Sequence, residues 1–226
     1  MTRIAPFLFS LGLFVSSLTA QTATPPSVQA QGTATIAVAP NQAELTVSMT
    51  TNGTTAQDAS QQNANLTAAV IAALQKQAGS SGTIQTISYS ISPRYNNPTP
   101  NQPSVIVGYS ATNTIQLTLT NLTLIGGAID AASQAGATSV NNLTLGLQNP
   151  QPSLQSALSA AAKIALANAS AIASGLGGKT GAVLSAQQSS SYTPVPVLAV
   201  AMAASTPVQT GPISVSATVT VTVALQ

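Results

Sequence analysis

The chain has 226 residues, of which only 5 are Lys or Arg and 3 are Asp or Glu, and it contains no His, Cys or Trp. That inventory argues against most enzymes, because general acid–base and covalent schemes draw on imidazole, thiol or paired carboxylates. It also leaves no imidazole or thiolate for a zinc or transition-metal site and no basic footprint for nucleic acid.

Ser, Thr, Asn and Gln number 89, so neutral groups must supply most of the polar surface. A hydrophobic content of 44% is enough for a packed core. The sequence pI of 9.2 reflects a net charge of only +2 and does not argue for an anionic partner.

Residues 1–20 read as a signal peptide. Arg3 charges a short n-region, Ile4 to Leu18 is mostly apolar, and Leu18-Thr19-Ala20 offers a small residue before a cut. The mature chain is expected to start near Gln21 and to be periplasmic or secreted, with no stable membrane span after cleavage. The absence of Cys means that no disulfide supports an exported fold. Val195 to Ala204 is apolar but too short to span a bilayer.

Residues 21–31, with Pro25-Pro26, read as a linker. Ala34, Ile36 and Val38 alternate with Thr33, Thr35 and Ala37, which predicts a strand with one buried face. After a turn at Pro40-Asn41, Ala43, Leu45, Val47 and Met49 give the apolar face of a second strand, and the two are expected to form a hairpin. Thr55-x-x-Asp58 has the form of a capping box for a helix from Ala56 to Ala78, with Ala59, Leu66, Val70, Ala73 and Leu74 as its stripe.

Thr83 to Ser92 reads as a strand with Ile84, Thr86 and Ser88 on one side and Gln85, Ile87 and Tyr89 on the other. The Pro/Asn-rich run Pro93 to Pro103 reads as a loop, and Val105 to Thr120 as a long returning strand, giving a second hairpin. Leu122 to Gln134 predicts a short helix and Ser139 to Leu147 a strand. A third helix follows Pro150 and Pro152, with Ser153 as N-cap and Leu154, Leu158, Ala161, Ala165 and Ile172 as its stripe; Gly175, Gly177 and Gly178 end it. Val183 to Gln188 reads as a strand, 189–212 as a Pro/Ala-rich excursion, and Val215 to Leu225 as a last strand with alternating Val and Thr.

The predicted order is ββ-α-ββ-α-β-α-ββ. It implies an α+β fold, an antiparallel sheet of hairpins with helices packed on one face and threonine-rich strands wetted on the other.

Several ordered pieces then resemble a known family. They are Gln31-Gly32-Thr33-Ala34 with Ala39-Pro40; Thr55, Ala59 and Asn63; Ile84-Gln85-Thr86 leading to Pro93-Arg94-Tyr95; Gly108-Tyr109-x-Ala111-x-Asn113; and Ala135-Gly136-Ala137. In that order and spacing they resemble the SIMPL-domain family of bacterial periplasmic oxidative-stress-defence or periplasmic immunogenic proteins. The likeness runs from Val28 to Gln226, and residues 32–226 are expected to form the SIMPL-like domain. The resemblance implies export and self-assembly into a homo-oligomer, and it implies no enzymatic activity. Two departures are that Asn41 stands where the family often has an acid, and that Lys163 is the only charge in the third helix.

No catalytic, cofactor-binding or metal-binding residue is expected. Glu44, Asp58 and Asp130 are far apart in sequence and read as a solvated strand residue, a cap and a surface residue. Arg94 and Tyr95, where a strand meets a loop, are with Tyr109 the candidate partner or ligand contact; the competing reading is a loop anchor with the Arg stem packed on a tyrosine. Gly175 to Thr180 ends like a phosphate loop, but Ala173 stands where its leading glycine belongs, and the segment follows a helix. Two functions follow: an exported, non-enzymatic, self-assembling protein with an indirect role in envelope maintenance or stress tolerance, or a periplasmic binder of small molecules or glycans that stacks them on Tyr89, Tyr95, Tyr109 and Tyr192.

Overall fold

A computed structural model describes residues 25–96, 103–197 and 211–226. The proposed signal sequence and most of the apolar Val195–Ala204 run lie outside the described residues. The elements are β1 (Ser27–Val38), β2 (Gln42–Gly53), α1 (Ala56–Ala78), β3 (Gly82–Tyr95), β4 (Ile106–Leu119), α2 (Ile125–Gln134), β5 (Ser139–Gly146), α3 (Gln151–Gly175), β6 (Thr180–Tyr192), β7 (Val195–Val197) and β8 (Ile213–Leu225). The fold is α+β, with all strand pairs antiparallel.

The strands form two sheets, in the orders β1-β8-β6 and β3-β4-β2-β5-β7. The expected hairpin of the first two strands is therefore not formed: β1 pairs along its whole length with β8, whereas β2 lies between β4 and β5. Asn41 does not close a β1–β2 turn. Its N–H donates to the Gly146 carbonyl and its side-chain oxygen accepts from the Gln148 N–H, which ties the crossing chain to the end of β5. Side-chain size gives the physical reason. The inner face of β1 carries Ala30, Gly32 and Ala34, whereas that of β2 carries Leu45, Val47 and Met49, and the two need different helices against them.

The small face of β1 meets α3. Ala157, Ala161, Ala165, Ala169 and Ala173 recur every four residues and are fully buried against β1 and β8. A Cβ on Gly32 would stand 2.2 Å from the Ala161 carbonyl and 2.3 Å from the Ala165 nitrogen, so glycine is what permits this approach. Val215, Ala217, Val219, Val221 and Val223 of β8 complete this second core. Ile172, expected in the stripe, is instead 44% exposed, because the alanines take the contact. Helix α3 also starts before Ser153, at Gln151, where the Asn149 side chain accepts from the Gln151 N–H. Among the described residues it is the one helix long and apolar enough to cross a membrane.

The large face of β2 meets α1 and α2. Leu45, Val47, Met49, Ile115, Leu117, Leu119, Leu143 and Leu145 of the five-stranded sheet pack on Val70, Leu74, Ile125, Ala128 and Ala132. Each buried side chain of this size contributes about 1.5–3 kcal/mol by its removal from water. Helix α1 begins as its capping residues predict, with Thr55 Oγ1 accepting from the Asp58 N–H at 3.1 Å and Asp58 Oδ2 from the Thr54 N–H at 3.3 Å.

On the outer faces, hydroxyls do the work that charges do elsewhere. Thr33 meets Thr218 at 3.1 Å and Thr35 meets Ser216 at 2.9 Å across β1 and β8; Ser48 meets Thr114 at 3.1 Å and Thr50 meets Thr112 at 3.0 Å across β2 and β4. Such cross-strand hydroxyl pairs stabilise a sheet without ion pairs. Strand β1 begins at Ser27, inside the segment whose composition suggested a linker.

Candidate functional site

The second expected hairpin is present. Strands β3 and β4 pair from Gly82–Leu119 to Tyr95–Ile106, and β3 runs 14 residues, taking in Pro93, Arg94 and Tyr95 at the start of the predicted loop. Near the start of β3, Ile84, Leu117 and Ile115 lie in the α1 core. Farther along, α1 stays over β2 and β4, with Asn63 bonded to the Ala111 carbonyl opposite Ile91, while β3 is the edge strand of the sheet and lies at the margin of that cover. Ile87, Tyr89, Ile91, Tyr95, Val105, Ile106 and Val107 are between 40% and 57% exposed. Scattered exposed apolar residues are ordinary, and these seven are concentrated on one two-stranded arm, where the consecutive Val105, Ile106 and Val107 divide between its two faces.

A register shift between Thr86 and Ser88 changes the faces expected for β3. The shift leaves Ile87 unpaired and brings Tyr89 opposite Asn113, onto the face of Ile84 and Thr86 instead of the other side. Tyr89 then bonds Ser60 of α1 at 2.9 Å through its hydroxyl, a tie between helix and edge strand.

Arg94 pairs with Gly108, Pro93 with Tyr109, and Tyr95 with Ile106 across a second shift. Arg94 and Tyr109 are thus neighbours on the ladder but on opposite faces, since adjacent strand residues point opposite ways. Tyr109 is partly buried, whereas Arg94 and Tyr95 are exposed. The three share the outer part of the arm, on both of its faces. Backbone contact is close here, since a Cβ on Gly108 would stand 2.7 Å from the Gly53 carbonyl.

At the root of the arm are two asparagines whose roles were not visible in the sequence. Asn63 of α1 is fully buried, and its Nδ2 donates to the carbonyls of Met49 at 2.8 Å and Ala111 at 3.0 Å, clipping the helix to β2 and β4. Asn113 Oδ1 is buried and accepts no hydrogen bond among the described residues. Helical spacing showed Asn63 on the α1 face of Ala59, Val70 and Leu74, which was the available signal.

Among the described residues, no group of three or more His, Cys, Asp or Glu could hold a metal ion. The Gly175–Thr180 segment closes α3 and opens β6, and so lacks the strand-then-helix setting of a phosphate loop.

Residues 28–223 match the model of the SIMPL family, described as "Protein of unknown function (DUF541)". The chain belongs to the SIMPL family. It is similar to "Uncharacterized protein YggE" of Escherichia coli K12, with 27% identity over 184 residues that cover 81% of this chain and 74% of that protein. The proteins of the same name from Escherichia coli O157:H7 and Shigella flexneri match to the same extent. The matched SIMPL region takes in both sheets, the three helices and the β3–β4 arm.

Proposed function

We propose that this SIMPL protein is an exported, non-enzymatic protein that self-assembles through the β3–β4 arm and serves envelope maintenance or stress tolerance indirectly. The observation that carries the reading is the concentration of exposed apolar side chains on the arm, with Tyr95, Val105 and Val107 more than half exposed among the described residues. A second copy is the natural occupant. The arm presents apolar side chains beside the edge of β3, which pairs with no second strand among the described residues, and Arg94 is the only charge on it, so little like-charge repulsion opposes its approach to another arm. The N-terminal signal pattern supports export, and the scarcity of titratable and nucleophilic side chains supports a role without catalysis.

Light scattering of the mature protein over a wide concentration range tests the reading. The expected result is a mass above that of one chain, falling toward the monomer when Ile91 and Val107 are both replaced by Ser. A strict monomer at all concentrations removes the assembly. The second reading, a binder of small molecules or glycans, is favoured by the exposed rings of Tyr89 and Tyr95. A thermal-shift screen with envelope sugars tests it, and stabilisation that Tyr95→Ser abolishes is the expected sign.

A further inference from the structure

A second feature lies at the other end of β2, roughly 30 Å along the strand from the arm. There the chain passes from β6 of one sheet to β7 of the other, and Tyr192 and Pro194 lie over the outer face of β2 and β5. They roof a cavity of about 130 Å³ whose floor is Gln42, Glu44, Thr144 and Gly146. The floor residues are direct cross-strand partners, Gln42 with Gly146 and Glu44 with Thr144. The roof is fixed: the Tyr192 hydroxyl oxygen accepts from the Leu147 N–H at 2.6 Å, and a Cβ on Gly146 would stand 2.8 Å from that oxygen. Glycine at 146 therefore lets the phenol seat on the strand.

The polar groups of this cavity are unequally matched. Glu44 accepts from Gln116 Nε2 at 3.0 Å and Gln42 Nε2 at 3.1 Å, both neutral amides, and no cationic side chain is bonded to it among the described residues. A carboxylate offers about four lone-pair sites, so about two remain. No donor reaches the side-chain oxygen of Gln42, Oε1, or the Thr144 hydroxyl among the described residues. The cavity is thus rich in acceptors, carries one negative charge and is partly closed from water, where charge attraction is stronger than in bulk.

We propose that this cavity binds a small primary ammonium, with Glu44 as its counter-charge and Gln42 and Thr144 taking its remaining N–H donors. A primary ammonium carries three donors on one compact charge, which matches the set. A bare divalent cation fits less well, since calcium takes about six to eight oxygen ligands and only one carboxylate is present. The volume, roughly four waters' worth, suits a molecule of ethanolamine size and excludes a long polyamine from full enclosure. The site is independent of the assembly surface, because no cavity residue lies on the arm.

Saturation-transfer NMR on the full chain, with ethanolammonium as probe, tests the site whatever the oligomer size. Saturable transfer is expected, with tetramethylammonium, which has the charge but no N–H donor, giving none. Glu44→Gln is expected to weaken ethanolammonium about tenfold, the loss of one charge-assisted hydrogen bond. Thr144→Val, which keeps the β-branched shape, is expected to weaken it several-fold and serves if the first variant does not fold. Absence of saturable transfer, an equal response to tetramethylammonium, or undiminished binding by a folded Glu44→Gln chain would each overturn the proposal.

Discussion

Asn63 of α1 and Asn113 of β4 are the same residue type with opposite prospects on replacement. Asn63 spends its amide on two strand carbonyls, whereas Asn113 holds a buried oxygen with no donor among the described residues. A hydrogen bond contributes about 1 kcal/mol net, while an unpaired buried polar atom costs about 1–3 kcal/mol. Asn63→Leu should therefore destabilise the fold by about 2 kcal/mol or more, since it strips two bonds and adds bulk to a closed site. Asn113→Leu should be neutral or stabilising by about 1 kcal/mol. Urea unfolding of both variants checks the pair, and equal destabilisation would contradict the reading of Asn113.

At the scale of elements, α3 rests on β1 through alanine and one glycine. Gly32→Val would drive a branched side chain into the α3 backbone at Ala161 and Ala165. The helix would have to move off the sheet, opening the core along the whole alanine row, at a cost of about 3 kcal/mol or more. A melting temperature lower by about 6 °C or more is the expected measurement.

The elements differ in how far they could be read. The bounds of α1 were legible because Thr55, Asp58 and Gly79 mark both ends chemically. The last strand was legible because Val and Thr alternate without a break. Pairing was not: β1 and β2 are adjacent in sequence and both alternate, yet the choice between a hairpin and a crossing depends on whether alanine or leucine faces meet, a property of the helices far downstream. The face of Tyr89 was lost to one unpaired residue, Ile87, because an extra residue inverts every later side chain. Arg94 and Tyr95, read where a strand meets a loop, and Tyr109, read in the returning strand, all lie on the β3–β4 hairpin. That the hairpin stays paired as far as Tyr95, with its edge strand at the margin of the α1 cover, follows from sheet order and helix position and has no local mark.

For the whole molecule, the composition sets an unusual response to pH. Stability changes with pH only where the folded and unfolded chains bind different numbers of protons. The side chains that ordinarily do this near neutrality are His and Cys, and the chain has neither. Its packing is also arranged without them: hydroxyl pairs such as Thr33–Thr218 and Thr50–Thr112 join the strands, and amides rather than cations meet Glu44. The hydroxyl and amide bonds that hold the outer faces keep their donors and acceptors throughout the neutral range. The melting temperature should therefore stay constant within about 2 °C between about pH 5 and pH 8, a span in which proteins with interacting histidines commonly shift by more. Calorimetry at fixed ionic strength and fixed protein concentration checks this, the concentration being held because self-association itself raises apparent stability. A shift above about 5 °C within that window would mean that protonation is coupled to folding or assembly through a group whose role the hydroxyl and amide network does not explain.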